Sequence, residues 1–259
     1  TLAEEQAEFR EAARAECWDS GEPGADLRRF DAIVAFGRTQ SLAGIRAAAA
    51  PEARFIGYGS RATVGYVGRV QLANEPHARA RGSAAARDLV LYDSEGCMSL
   101  HALFIERGGA ISPVAFGEIL AACVEHAAIE FPVGTRDPAA GAALATARNL
   151  AAFRAATGKG AVFTDASANY ALFVDPPGDE PPAFLPRALG LYPVDAPAEA
   201  LGYLLRHRIA LEAFALAGDS RADLIALAVD SGAVRIARFG ELQHPPFSGD
   251  HGGRPRVAD

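Results

Sequence analysis

The order strand, glycine turn, helix, strand between residues 31 and 59 constrains this chain more than any other feature. Asp31-Ala-Ile-Val-Ala-Phe-Gly37 is a short apolar run ending in glycine, which reads as a buried strand. Residues 39–49 have helical patterning, and Pro51 closes them. Arg54-Phe-Ile-Gly-Tyr-Gly59 is a second strand that ends in glycines. Two strands joined in this way form a crossover unit with parallel strands.

The alternation continues along the chain. Strands are expected at 103–106, 161–164, 171–174, 189–194, 210–217, 224–229 and 234–239. Helices are expected at 113–127, where Pro113 stands at the start, and at 139–156 and 198–206. Leu2, Phe9, Ala13 and Cys17 recur at helical spacing, so 2–17 is read as an amphipathic helix with Cys17 and Trp18 as packing residues. Residues 74–83 are polar and read as loop, 84–91 as helix or strand, and 175–182 and the tail from Gln243 as surface segments. The expected architecture is α/β.

Composition narrows the function classes. Half the residues are hydrophobic, which suffices for a packed core. The formal net charge of −7 argues against nucleic acid, whose phosphates need clustered Lys and Arg. No apolar stretch reaches the roughly 20 residues that cross a bilayer. Three widely spaced cysteines suggest neither a disulfide framework nor a zinc cluster, so no metal is expected. The start, Thr1-Leu-Ala-Glu-Glu-Gln-Ala-Glu, lacks the pattern of a secretory signal, and a reducing, cytoplasmic setting is expected.

Chemistry concentrates at Cys97. An apolar stretch, Leu89-Val-Leu, leads into Tyr-Asp-Ser-Glu-Gly-Cys97-Met-Ser, and a second apolar run follows. The cysteine therefore sits in a polar turn between buried elements, and Gly96 permits close backbone approach. A nucleophilic cysteine needs a reachable thiolate and nearby N–H groups that stabilise it. A cysteine in a turn also serves as a small hydrophobe, and spacing alone does not separate the two roles. Ser99 and His101 complete the candidate catalytic set. Ser99 reads as a turn hydroxyl more than a reacting group. His101 either tunes the thiolate or caps a strand. Gly37, Thr39 and Ser41 either cradle a phosphate at a helix N-terminus or simply connect strand to helix.

Asp93-Ser-Glu-Gly-Cys97-Met-Ser99-Leu-His101, with Phe104-Ile-Glu106 after it, resembles the active-site segment of the bacterial fatty acyl-CoA reductase family, which belongs to the aldehyde dehydrogenase superfamily. Leu100 stands where that family usually has proline. Asp31–Ser41 resembles the superfamily's strand and turn against the dinucleotide, and Phe55-Ile-Gly57-Tyr-Gly59-Ser-Arg61 resembles the next one. Phe239-Gly-Glu-Leu-Gln243-His-Pro-Pro and Asp250-His-Gly-Gly are similar to its C-terminal signature.

The resemblance implies an aldehyde-dehydrogenase-like fold, with a parallel-sheet catalytic domain and a remnant of a Rossmann-like cofactor domain. It implies a remnant at residues 1–55, a catalytic cysteine domain at 56–232 and a C-terminal strand and tail at 233–259. It implies Cys97 as nucleophile, NADPH or NADH as cofactor, and Gly37, Thr39, Ser41, Gly57 and Gly59 as cofactor-binding positions. It further implies an acyl-CoA or aldehyde substrate and a homo-oligomer or a complementing N-terminal chain, since family members are far longer. Superfamily members that oxidise free aldehydes carry a Glu in the stretch matching Phe55–Gly59. None stands there here, which favours transfer to or from a thiol over hydrolysis. The rival expectation is a non-catalytic chain that binds a partner subunit.

Overall fold

The computed structural model describes residues 16–18, 24–178, 184–217 and 221–254. Most of the expected helix at 2–17 lies outside the described residues. Cys17 and Trp18 are exposed, so neither packs as expected. The chain divides after Gly59 into two compact units.

The first unit is the expected crossover. Strand β1 (Ala32–Phe36) runs parallel to β2 (Arg54–Tyr58), with Ala32 opposite Arg54 and Phe36 opposite Tyr58. Helix α1 (Thr39–Ala48) joins them. Ala49, Ala50 and Ala53 are buried with Ile33 against them, and the Phe36 and Tyr58 rings stack with centroids 4.9 Å apart.

The second unit is a seven-stranded sheet in the order β5-β6-β7-β4-β3-β8-β9. Its strands are β3 (Ala62–Val67), β4 (Leu100–Glu106), β5 (Ala161–Phe163), β6 (Ala171–Val174), β7 (Ala188–Val194), β8 (Leu211–Leu216) and β9 (Arg235–Arg238). Neighbours are parallel except β5 and β6, which are antiparallel. The apolar runs at β3, β4 and β8 are buried throughout because both faces of the sheet are covered. Leu103 and Ile105 of β4 join a core with helices α2 (Glu75–Val90) and α3 (Pro113–Glu130). Ala102 and Phe104 point the other way, into a core with α5 (Pro197–Arg206) and α6 (Ala222–Asp230). Helix α4 (Pro138–Ala156) contributes Leu144 to a small cluster beside β6 and β7.

Three helices begin as their sequences direct, each with a proline in the first turn. The side chains of Asn74, Ser112 and Asp137 accept hydrogen bonds from the amides of His77, Ala115 and Ala140. The Asn74 cap corrects the expected loop at 74–83, which is the solvated first half of α2. The expected strand at 224–229 is also corrected: it is helix α6. A short apolar run has no periodicity to separate strand from buried helix, and Asp223 in its first turn is the helical signal.

Candidate active site

Cys97 lies in the turn between α2 and β4, at the N-terminal end of the central strands. It is partly exposed, whereas Cys123 is buried in α3. The Thr63 hydroxyl donates to the Cys97 carbonyl at 2.8 Å. The Ser99 amide donates to the Gly96 carbonyl at 3.0 Å, which closes the turn. A side chain at position 96 would press on the Ser99 hydroxyl at 3.3 Å, so glycine leaves the room that this turn uses.

Ser99 is fully buried, and its Oγ accepts from Gln243 Nε2 at 2.8 Å. Gln243 follows a segment held by Asp88 of α2, whose carboxylate accepts the amides of Gly240 at 2.6 Å and Leu242 at 3.2 Å. Burial pushes the Asp88 carboxyl up to about 7, against the opposing pull of those two amides. Arg235 of β9 donates to the Leu242 carbonyl and lies 3.9 Å from Met98 Sδ. The C-terminal segment thus reaches the cysteine turn at Met98 and Ser99.

His101 is buried within β4, and sheet register explains its placement. Thr63 pairs with Leu100 but Val64 pairs with Ala102, so His101 is an extra residue, a β-bulge. The freed Thr63 amide donates to His101 Nδ1 at 3.3 Å. That nitrogen must then be unprotonated. Burial lowers the imidazole to about 4, so the ring is neutral near pH 7. The ring edge meets Phe184 with centroids 5.1 Å apart. A matching shift between β3 and β8 makes Glu212 an extra residue on the other side of Thr63. The Glu212 carboxylate accepts the Gly252 amide at 3.1 and 3.2 Å, while Arg61 donates to the Gly252 carbonyl at 3.1 Å.

Glu106 marks the opposite end of β4. It is fully buried and takes hydrogen bonds from Arg69 and Arg221. Burial alone would raise its carboxyl, but those donors hold it below the usual carboxylate range.

In the first unit, Thr39 and Ser41 are exposed in the first turn of α1, after Gly37. Arg38, the residue at the N-cap, makes no side-chain hydrogen bond to that turn. A side chain at Gly59 would meet only Leu42, at 3.8 Å. Thus Cys97, Ser99 and His101 share one turn and strand, and Gly37, Thr39, Ser41, Gly57 and Gly59 belong to the other unit. Sequence reasoning missed Thr63, Asp88, Glu212 and Arg187. Asp88 and Glu212 were detectable as acids inside apolar runs; Thr63 and Arg187 carried no signal.

The family model for "Acyl-CoA reductase (LuxC)" matches residues 25–255. The chain belongs to this acyl-CoA reductase family. The fold agrees with that membership. The aldehyde dehydrogenase KauB from Pseudomonas aeruginosa matches with a TM-score of 0.65 and 14% identity, over 87% of this chain and 47% of that one. The gamma-glutamyl-gamma-aminobutyraldehyde dehydrogenase from Burkholderia cenocepacia matches with a TM-score of 0.58 and 15% identity, over 89% and 48%. The indole-3-acetaldehyde dehydrogenase AldA of P. syringae, in complex with NAD+ and IAA, matches with a TM-score of 0.60 and 13% identity, over 87% and 47%. This acyl-CoA reductase family chain therefore has an aldehyde-dehydrogenase-like fold and spans about half the length of those solved enzymes. No curated protein matches it. Among the described residues, no helix is long and apolar enough to cross a membrane, and no group of three His, Cys, Asp or Glu is placed to hold a metal ion.

Proposed function

We propose that this chain supplies the thiol nucleophile of an acyl-CoA reductase that converts an acyl thioester to an aldehyde. The observation that carries the reading is Cys97 itself: partly exposed, in a turn fixed at its own carbonyl by Thr63, in a member of the acyl-CoA reductase family. The Cys97 thiolate attacks the thioester carbonyl, a carbon–sulfur bond forms to Cys97 as the substrate's own carbon–sulfur bond breaks, and the departing thiolate takes up a proton equivalent to the one that the Cys97 thiol lost on ionising. An acyl group remains on Cys97. The covalent step divides one difficult reaction into two easier ones.

His101 is neutral and its Nδ1 accepts the Thr63 amide, so its role is to hold that strand rather than to take the proton. Ser99 acts in the same way, fixing the turn through Gln243. The absence of a carboxylate in Phe55–Gly59 supports acyl transfer over hydrolysis.

The first unit fits a nicotinamide dinucleotide. A first turn of α1 with exposed hydroxyls and no side-chain cap suits a phosphate, and Gly59 leaves room for one. Gly37, Thr39 and Ser41 would hold the phosphates, and Gly57 and Gly59 would lie along the group. A dinucleotide held there, NADPH or NADH, would supply hydride to the acyl carbon, and Cys97 would be released as a thiolate when its carbon–sulfur bond breaks and the aldehyde leaves.

Exposed Val34 and Phe36 on β1 support a covering partner, either another copy or a complementing N-terminal chain. The odd number and wide spacing of the three cysteines support a reducing, cytoplasmic location. The test is Cys97→Ala, assayed with acyl-CoA and NADPH: activity should fall to background, and surviving turnover would remove the reading.

A further inference from the structure

The chain enters the Cys97 turn by a strained route. Helix α2 ends at Val90, and Tyr92, Asp93 and Ser94 follow at φ of 56°, 52° and 63°. Three successive non-glycine residues in the left-handed region do not persist without a restraint. Tyr92 has an exposed side chain, and its carbonyl accepts the Glu95 amide at 2.9 Å, a local tie. Ser94 donates its hydroxyl to the Leu89 carbonyl at 2.8 Å, a local tie. The long-range restraint comes from Arg187, which stands 94 residues away and is 2% exposed.

The Arg187 guanidinium joins three pieces of chain. Its Nε donates to Asp93 Oδ1 at 2.5 Å. Its Nη2 donates to the Phe131 carbonyl at the end of α3 at 2.6 Å, and reaches the Val90 carbonyl at the end of α2 at 3.4 Å. Its own amide donates to the Asp93 carbonyl at 3.0 Å. The second Asp93 oxygen, Oδ2, accepts the Gly134 amide at 2.9 Å. Cys97 lies four residues beyond Asp93.

We infer that Arg187 is a positioning residue for the cysteine nucleophile, acting through Asp93 and the left-handed turn without touching the reacting atoms. The inference rests on the reading of Cys97 as nucleophile. A planar fork is what the geometry uses, because one group must serve a carboxylate and two carbonyls in different directions. Lysine, a single point charge on a flexible stem, does not reproduce it. Displacement of a reacting group by about 1 Å can cost about 100-fold in rate.

The test is single-turnover release of thiol from an acyl-CoA, without a nicotinamide, by the full chain. Parent, Cys97→Ala, Arg187→Lys, Asp93→Asn and the Arg187→Lys/Asp93→Asn pair are compared, with folding monitored by circular dichroism and thermal melting. Folded Arg187→Lys should lose roughly 10- to 100-fold in maximal rate, with its half-saturating acyl-CoA concentration within about twofold of the parent's. The pair should be no slower than the worse single variant, because both act on one turn. A folded Arg187→Lys within about twofold of the parent's maximal rate overturns the inference. Should Arg187→Lys fail to fold, Asp93→Asn, which keeps the guanidinium, decides by the same criterion. If parent and Cys97→Ala release thiol alike, the nucleophile reading falls and this inference with it. If release depends on Cys97 but the folded variants are unimpaired, this inference alone falls.

Discussion

Asp88 is the residue whose protonation the fold has altered most usefully for a test. Its carboxyl is fully buried in α2, accepts two amides of the segment that leads to Gln243, and titrates near 7. An unfolded aspartate titrates near 4. Between those values the unfolded chain has released a proton that the folded chain retains. Stability from this group is therefore fully present below about pH 4 and is lost as pH rises toward 7, by as much as about 4 kcal/mol. An asparagine side chain at this position does not titrate and has no such dependence. The melting temperature of Asp88→Asn relative to the parent should rise between pH 4 and pH 7, as scanning calorimetry at three pH values can measure. A difference that stays constant would contradict the burial of an ionisable group there. His101 has the opposite sign. Its lowered value means that stability is present above the unfolded value near 6.5 and lost as pH falls toward 4, so the two groups oppose each other in the parent.

At the scale of elements, the central strands set the site through their irregularities. The bulges at His101 and Glu212 flank Thr63 and release its amide from the ladder for a side chain. Gly65 of β3 shows how tightly the C-terminal segment seats on the sheet. A Cβ there would lie 2.5 Å from the Phe239 ring and 3.1 Å from Leu103. Gly65→Ala should therefore shift Phe239 and cost about 1–3 kcal/mol, measurable by urea denaturation. A change below about 0.5 kcal/mol would mean that Phe239 moves freely. The sequence made β1, α1, β2, β4, α3 and α4 legible, because glycine turns, first-turn prolines and long periodic runs mark them. Residues 75–83 misled because a solvated helix face looks like a loop, and 224–229 because six apolar residues carry no period. Cys97, Ser99 and His101 were legible as one segment. The ties from Arg187, Asp88 and Glu212 were not, since each acid or arginine meets a partner between 40 and 154 residues away.

At the scale of the whole molecule, the chain matches its family over residues 25–255 and spans about half of each solved aldehyde dehydrogenase that it resembles. The second unit contains the thiol, the turn that holds it and the C-terminal segment that steadies the turn. In the proposed function, acyl transfer to Cys97 is accordingly the step most separable from cofactor and partner. Trypsin should cut after Arg87 and Arg107, which leaves Cys97 alone on the peptide Asp88–Arg107. The deciding measurement is mass spectrometry of that peptide after the chain meets an acyl-CoA without nicotinamide. An acyl adduct on Asp88–Arg107, matched by one equivalent of released thiol and lost on hydroxylamine treatment, is the predicted result. Thiol released while that peptide stays unmodified, or an adduct that persists in Cys97→Ala, would contradict the account.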